Sequence, residues 1–216
     1  MTFEGWKGKL YSIVELITLL AVLQLMWIGL TLLGLVLFGV TPASVAMFTT
    51  LRKRLQGEDR LKQLVKTYWD TYKVEFIPSN KIGIIIIAVG YFLTINFQII
   101  STFQGMMGLI SLTIFITISI IYGVMVLNIF QIYAHYELPY FRYFAVSILF
   151  SIAYPLQMIG SIVGLTILYL IFTWIPGLLP FFGISVTALF LTWMSSNIFK
   201  KKAEAESRLE VTTQTH

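Results

Sequence analysis

The chain has 216 residues, of which 57% are hydrophobic and 12% charged, with no cysteine and a formal net charge of +5; its mean hydropathy is +0.84. Soluble domains carry roughly 25% charged residues, so this composition excludes an ordinary soluble enzyme, and the lack of cysteine excludes disulfides, Cys-ligated zinc and thiol nucleophiles. Between Lys81 and Lys200 only Glu137 and Arg142 are charged. That predicts an all-α fold, a polytopic transmembrane helical bundle forming a single membrane domain over 1–216, because backbone polar groups in lipid must be satisfied within the chain.

Counting about 20 apolar residues per crossing, five spans emerge, at about 16–38, 82–103, 109–133, 146–171 and 178–199. The first follows Lys7 and Lys9, but its apolar run is longer than a signal-peptide core of about 7–15 residues and no Ala-x-Ala-like site follows, so it is expected to stay as an anchor. An alternative folds Leu10 to Val40 as a re-entrant hairpin broken at Gly29 or Gly34, with both termini inside. Two full crossings need about 40 residues, which favours one span. Thr41 and Pro42 then read as the N-cap and first turn of a new helix.

The segment 42–80 is the main extramembrane element, and Arg52 to Lys81 carries eight basic and four acidic residues. Gly57 reads as the C-cap of its first helix and Asp59 as the N-cap of its second. In that second helix Leu61, Leu64, Val65, Tyr68, Trp69, Tyr72 and Phe76 recur at helical spacing, with Lys62, Lys66, Asp70 and Lys73 elsewhere on the wheel. Such a stripe suits the lipid bilayer surface or a docked partner; tied closely to two spans, it gives no reason to invoke nucleic acid. The breaker Ile77-Pro78-Ser79-Asn80 is expected to separate it from the second span.

Beyond it, Gln104 to Gly108 reads as a turn and Trp174 to Gly177 as another, while Pro155 is expected to kink the fourth span. His135, Glu137 and Arg142 fall in a turn with Tyr133, Tyr136, Tyr140 and Tyr143, where a local ion pair is expected, a pH-sensing or catalytic histidine being the rival. Gln24, Asn96, Asn128 and Gln157, with Gln98, Gln131 and Asn197, are in-span amides that serve either as interhelical glue or as the lining of a solute path. Gly160 and Gly164 form a GxxxG for close helix packing, within the bundle or between copies. Glu15 is expected at the outer end of the first span. Thirteen of the fifteen Lys and Arg residues lie in Arg52 to Lys81, at Arg142 or in the tail 200–216, which predicts the N-terminus outside and the C-terminus cytoplasmic.

The stretch from Leu23-Gln24-Leu25-Met26-Trp27 through Gly34 to Phe48 and Leu51-Arg52-Lys53-Arg54-Leu55-Gln56-Gly57-Glu58, continued by Tyr68 to Phe76 and Asn80-Lys81-Ile82-Gly83, resembles YesL-like bacterial membrane proteins. The specific match covers about Leu20 to Gly83; Gln24 departs from it, standing where the family carries Asn. The resemblance implies a small multi-span plasma-membrane protein linked to carbohydrate uptake or utilisation, with no established reaction. No P-loop, His-Glu-x-x-His or intramembrane-protease motif occurs, so the reading is a non-enzymatic accessory component with no cofactor or metal, contacting a membrane transport component. A small-solute carrier or channel, acting as a homo-oligomer, is the alternative.

Overall fold

Charge-free apolar runs and short turns give seven α-helices in the computed structural model, which describes residues 6–214. The side chains of residues 6–9, 197 and 199–214 lie outside the described set, and with them Lys7, Lys9, Asn197 and the charges of the tail. The helices are α1 (Trp6–Leu33), α2 (Leu37–Leu55), α3 (Leu61–Ile100), α4 (Gly105–His135), α5 (Tyr140–Ala153), α6 (Pro155–Trp174) and α7 (Leu179–Gln214), with a 3-10 turn at Pro176–Leu178 before the last. Five stretches are long and apolar enough to cross a membrane: Leu10–Leu33, Leu61–Ile100, Gly105–His135, Pro155–Trp174 and Pro176–Ser196.

The first departure from expectation is at residues 34–36, where the chain reverses. The Leu35 N–H bonds to the Leu32 carbonyl (3.0 Å) and the Val36 N–H to the Thr31 carbonyl (2.9 Å), the paired bonds that close a helix C-terminus. A tight γ-turn follows at Val36, closed by the Leu37 N–H on the Leu35 carbonyl at 2.8 Å. Leu35 and Val36 both have positive φ (54° and 65°), while a side chain on Gly34 would overlap the backbone of Gly39. Glycine at 34 is therefore needed for the close approach of the two helices.

Thus α2 returns antiparallel to α1, with Trp27 beside Ser44 and Leu16 sharing a cavity wall with Arg54 and Leu55. The helix expected to begin at Pro42 begins at Leu37, and Pro42 lies inside it. Neither is Ile77 to Asn80 a break: α3 runs through Pro78 for 40 residues. At Pro155 the chain does divide. Tyr154, held at φ −127° and ψ 64°, shows the displacement from helical geometry that proline imposes on its predecessor, so the expected kinked span is two helices, α5 and α6. Gly57 (φ 105°) closes α2 as expected, but Arg60 rather than Asp59 precedes α3, and Asp59 pairs with Arg54.

The main core lies where α1, α2, α3 and α7 meet, around Leu23, Met47, Leu51, Leu64, Tyr68 and Leu191. A second joins α3, α4 and α5 through Ile82, Ile129, Ile132 and Tyr143. Past Gly83, α3 and the facing part of α4 form a hairpin with open apolar sides: Tyr122 bonds to the Ile86 carbonyl at 2.9 Å and Phe97 meets Phe115 at 5.5 Å, whereas Ile84, Phe92, Leu109 and Ile120 are exposed.

Candidate functional site

Among the described residues helix α2 is the most enclosed, buried from Thr41 to Phe48 and again at Thr50 and Leu51. Small residues at Ala43, Ser44 and Ala46 let its neighbours approach closely, which in lipid is the main source of helix association. Polar side chains on those neighbours then tie the contact. Trp27 Nε1 donates to Ser44 Oγ at 3.1 Å, Tyr68 Oη to the Ala43 carbonyl at 2.8 Å, and Tyr72 Oη to the Leu30 carbonyl at 2.9 Å.

Asn80 has a more specific task. Pro42 has no N–H to give the Phe38 carbonyl four residues earlier, and Asn80 Nδ2 donates to that carbonyl at 2.8 Å while also reaching the Phe76 carbonyl at 2.7 Å. A proline in one helix is thus matched by an amide in the next.

These contacts fix where the aromatic stripe goes. Leu64, Tyr68 and Tyr72 are buried, with Tyr68 at 0% exposure, and Leu61, Val65 and Phe76 are half-buried. The centre of the stripe, at Leu64, Tyr68 and Tyr72, is packed into the core with α1 and α2. Trp69 alone stays well exposed, at 42%, with the Lys73 ammonium 4.8 Å from its ring.

An ionisable corner forms where α2, α3 and α4 meet. Arg52 donates to the Ala134 carbonyl, placing a cation at the C-terminal, electronegative end of α4; burial lowers the proton affinity of its guanidinium, and its Nε is buried without a partner among the described residues. Tyr133 Oη donates to Glu75 Oε2 at 2.5 Å, and the Tyr133 and Tyr143 rings lie 4.6 Å apart. Tyr143 Oη donates to the Tyr136 carbonyl and accepts the Leu138 N–H, both at 2.9 Å. The turn is organised by this hydroxyl, and of the cluster expected to hold a local ion pair, Glu137 and Arg142 do not pair with each other; Arg54 pairs with Asp59. Sequence reasoning missed Arg52, Glu75 and Asn80. The available signal was spacing, since Glu75, Ser79 and Asn80 continue the helical face of Tyr68 and Tyr72.

The in-span amides have separate positions. Gln24 Oε1 accepts the backbone N–H groups of Ile184 (3.0 Å) and Ser185 (2.9 Å), joining α1 to α7. Asn96 bonds within its own helix, to the Phe92 carbonyl at 2.8 Å. Asn128 links three helices through Ser151 Oγ at 2.9 Å and Met158 Sδ at 3.1 Å. Gln157 is buried with neither end of its amide partnered among the described residues, and the Gln131 Oε1 is likewise orphaned. Gly160 lies against Met194 and Gly164 against the Phe190 ring, so both glycines serve the α6–α7 contact. No group of three or more His, Asp or Glu side chains among the described residues is placed to hold a metal.

The family model described as "Protein of unknown function, DUF624" matches residues 20–97, which run from the middle of α1 through α2 and nearly all of α3. Among curated proteins of Bacillus subtilis (strain 168), "Uncharacterized protein YteU" is 32% identical over 187 residues, covering 86% of this chain and 83% of its own. "Uncharacterized protein YesV" is 32% identical over 193 residues, covering 89% and 92%. "Uncharacterized protein YesL" is 29% identical over 192 residues, covering 88% of each. No solved structure matches the chain.

Proposed function

The chain belongs to the DUF624 family, and we propose that it is a non-enzymatic accessory component of a bacterial plasma-membrane system, linked to carbohydrate uptake or utilisation and acting by contact. The observation that carries this reading is the division of labour between its groups. Polar side chains at the centre, among them Tyr68, Tyr72, Asn80 and Gln24, are engaged in bracing backbone, while the α3–α4 hairpin offers exposed apolar faces on both of its helices. The carbohydrate link rests on the resemblance to YesL-like proteins.

The antiparallel α1–α2 pair also supports a revised orientation. With Leu16 beside Arg54 and Trp193, the start of α1, the basic end of α2 and the later part of α7 share one side, which the concentration of Lys and Arg makes cytoplasmic. This favours the hairpin alternative, with both termini inside, over an outside N-terminus.

Photoreactive residues at Phe92 and Trp69 in native membranes test the contact role. Recurrent capture of one membrane protein at either position supports it; capture of lipid alone at both refutes it, and a partner outside any uptake system refutes the carbohydrate part. The orphaned amides of Gln157 and Gln131 favour a second reading, a solute path near α4 and α6. Solute flux into vesicles containing only this protein, abolished by Gln157→Leu, would replace the first reading with that one.

A further inference from the structure

A cavity of about 490 Å³ opens between α1, α6 and α7 at the end of α2, within the roughly 300–1,000 Å³ typical of ligand sites. Its wall is built from Leu16 of α1, Leu168 of α6, and Val186, Leu189 and Trp193 of α7, with Arg54 as the charged residue in the lining. From Val186 to Trp193 the helix rises about 10 Å, so the α7 wall of this groove is about two helical turns long, and Arg54 is the cation in the lining. Trp193, which is exposed, stands in that same wall, where an indole suits the headgroup boundary.

We propose that this groove holds one acyl chain of an anionic phospholipid whose phosphate is met by Arg54. Charge selects this occupant. Arg54, from the basic end of α2, is the charged side chain that lines the groove, and its guanidinium already pairs with one oxygen anion, the Asp59 carboxylate. Basic pockets between membrane helices on the cytoplasmic side recognise anionic headgroups in this way. Apart from Arg54 and the Trp193 indole, the lining side chains are hydrocarbon or phenyl and accept an acyl chain.

Asp59 gives the site an internal competitor. It is paired with Arg54 while remaining exposed, so a lipid phosphate must share or displace it. Releasing that carboxylate strengthens the site without altering the groove, which separates headgroup recognition from general greasiness.

Native mass spectrometry of the delipidated full-length protein, titrated with phosphatidylglycerol or phosphatidylcholine of identical chains, tests the proposal. The expected result is one phosphatidylglycerol retained at activation energies that strip phosphatidylcholine. Val186→Phe should lower that retention about tenfold by filling the groove, Arg54→Gln should abolish the headgroup preference, and Asp59→Asn should increase it several-fold. Equal retention of the two lipids by the unaltered protein, or a second copy of the chain bound in place of lipid, overturns the proposal. So does Val186→Phe binding lipid like the unaltered protein. Should Arg54→Gln fail to fold, an unchanged preference in Asp59→Asn overturns the headgroup assignment.

Discussion

Replacing Asn80 by leucine tests the brace across α2 and α3. The substitution keeps size but removes both donors, leaving the Phe38 carbonyl without a partner, because Pro42 supplies no N–H. An unsatisfied buried acceptor costs about 1–3 kcal/mol; the lost bond to the Phe76 carbonyl adds about 0.6 kcal/mol, the mean for side-chain hydrogen bonds in membrane proteins. Asn80→Leu should therefore destabilise by about 1.6–3.6 kcal/mol. The same change in a Pro42→Ala background should cost about 0.6 kcal/mol, since the restored Ala N–H can take the Phe38 carbonyl. The two sites should thus be coupled by more than 1 kcal/mol. Reversible unfolding in mixed mild-detergent and dodecyl sulfate micelles, followed by tryptophan fluorescence for the four members of the cycle, measures this directly. If Asn80→Leu costs the same in both backgrounds, within the roughly 0.3 kcal/mol expected of independent sites, the proline-matching role is wrong.

At the α1–α2 turn, Gly34→Ala should overlap Gly39 and sharply reduce monodisperse yield, whereas Leu35→Gly relieves a left-handed residue that is 79% exposed. Leucine there costs about 1–2 kcal/mol, partly offset by the chain entropy of glycine, so thermal unfolding of Leu35→Gly should be unchanged or up to about 1 kcal/mol more favourable to the fold. Arg52→Met should destabilise by about 1.5–3 kcal/mol, the range for hydrogen bonds to charged groups, with increased hydrogen exchange at the C-terminal turn of α4; exchange unaltered there would show that Arg52 does not hold that end. Gln24→Leu should separate α1 from α7, seen as loss of a disulfide engineered between those helices, while Gln24→Asn should lose it only in part because its carbonyl is one methylene shorter. Since the chain has no cysteine, single cysteines at Leu10, Leu35 and Lys53 give a clean topology test. Leu10 and Lys53 should label from one side and Leu35 from the other; labelling of Leu10 and Lys53 from opposite sides would contradict the antiparallel hairpin.

Apolar run length made the helices legible, because a bilayer-length stretch without charge leaves little choice of backbone. Breaks were harder to read. Proline divides the chain at Pro155, where Tyr154 leaves helical geometry, yet α2 passes through Pro42 and α3 through Pro78. At Pro42 the difference has a visible cause, since a donor 38 residues away in sequence occupies the freed carbonyl. The reversal at 34–36 was legible only as the less favoured alternative, a hairpin broken at Gly29 or Gly34: its left-handed positions are Leu35 and Val36, residue types that argue against such a turn, and the adjacent Gly34 serves contact. That local difference propagates. An α2 continuing outward would leave Tyr68 and Tyr72 to find an apolar surface elsewhere, and a membrane interface would satisfy the stripe. With α2 folded back along α1, the same phenols meet the Ala43 and Leu30 carbonyls instead. The periodicity correctly identified a face that must be covered; what covers it was decided by a turn of three residues.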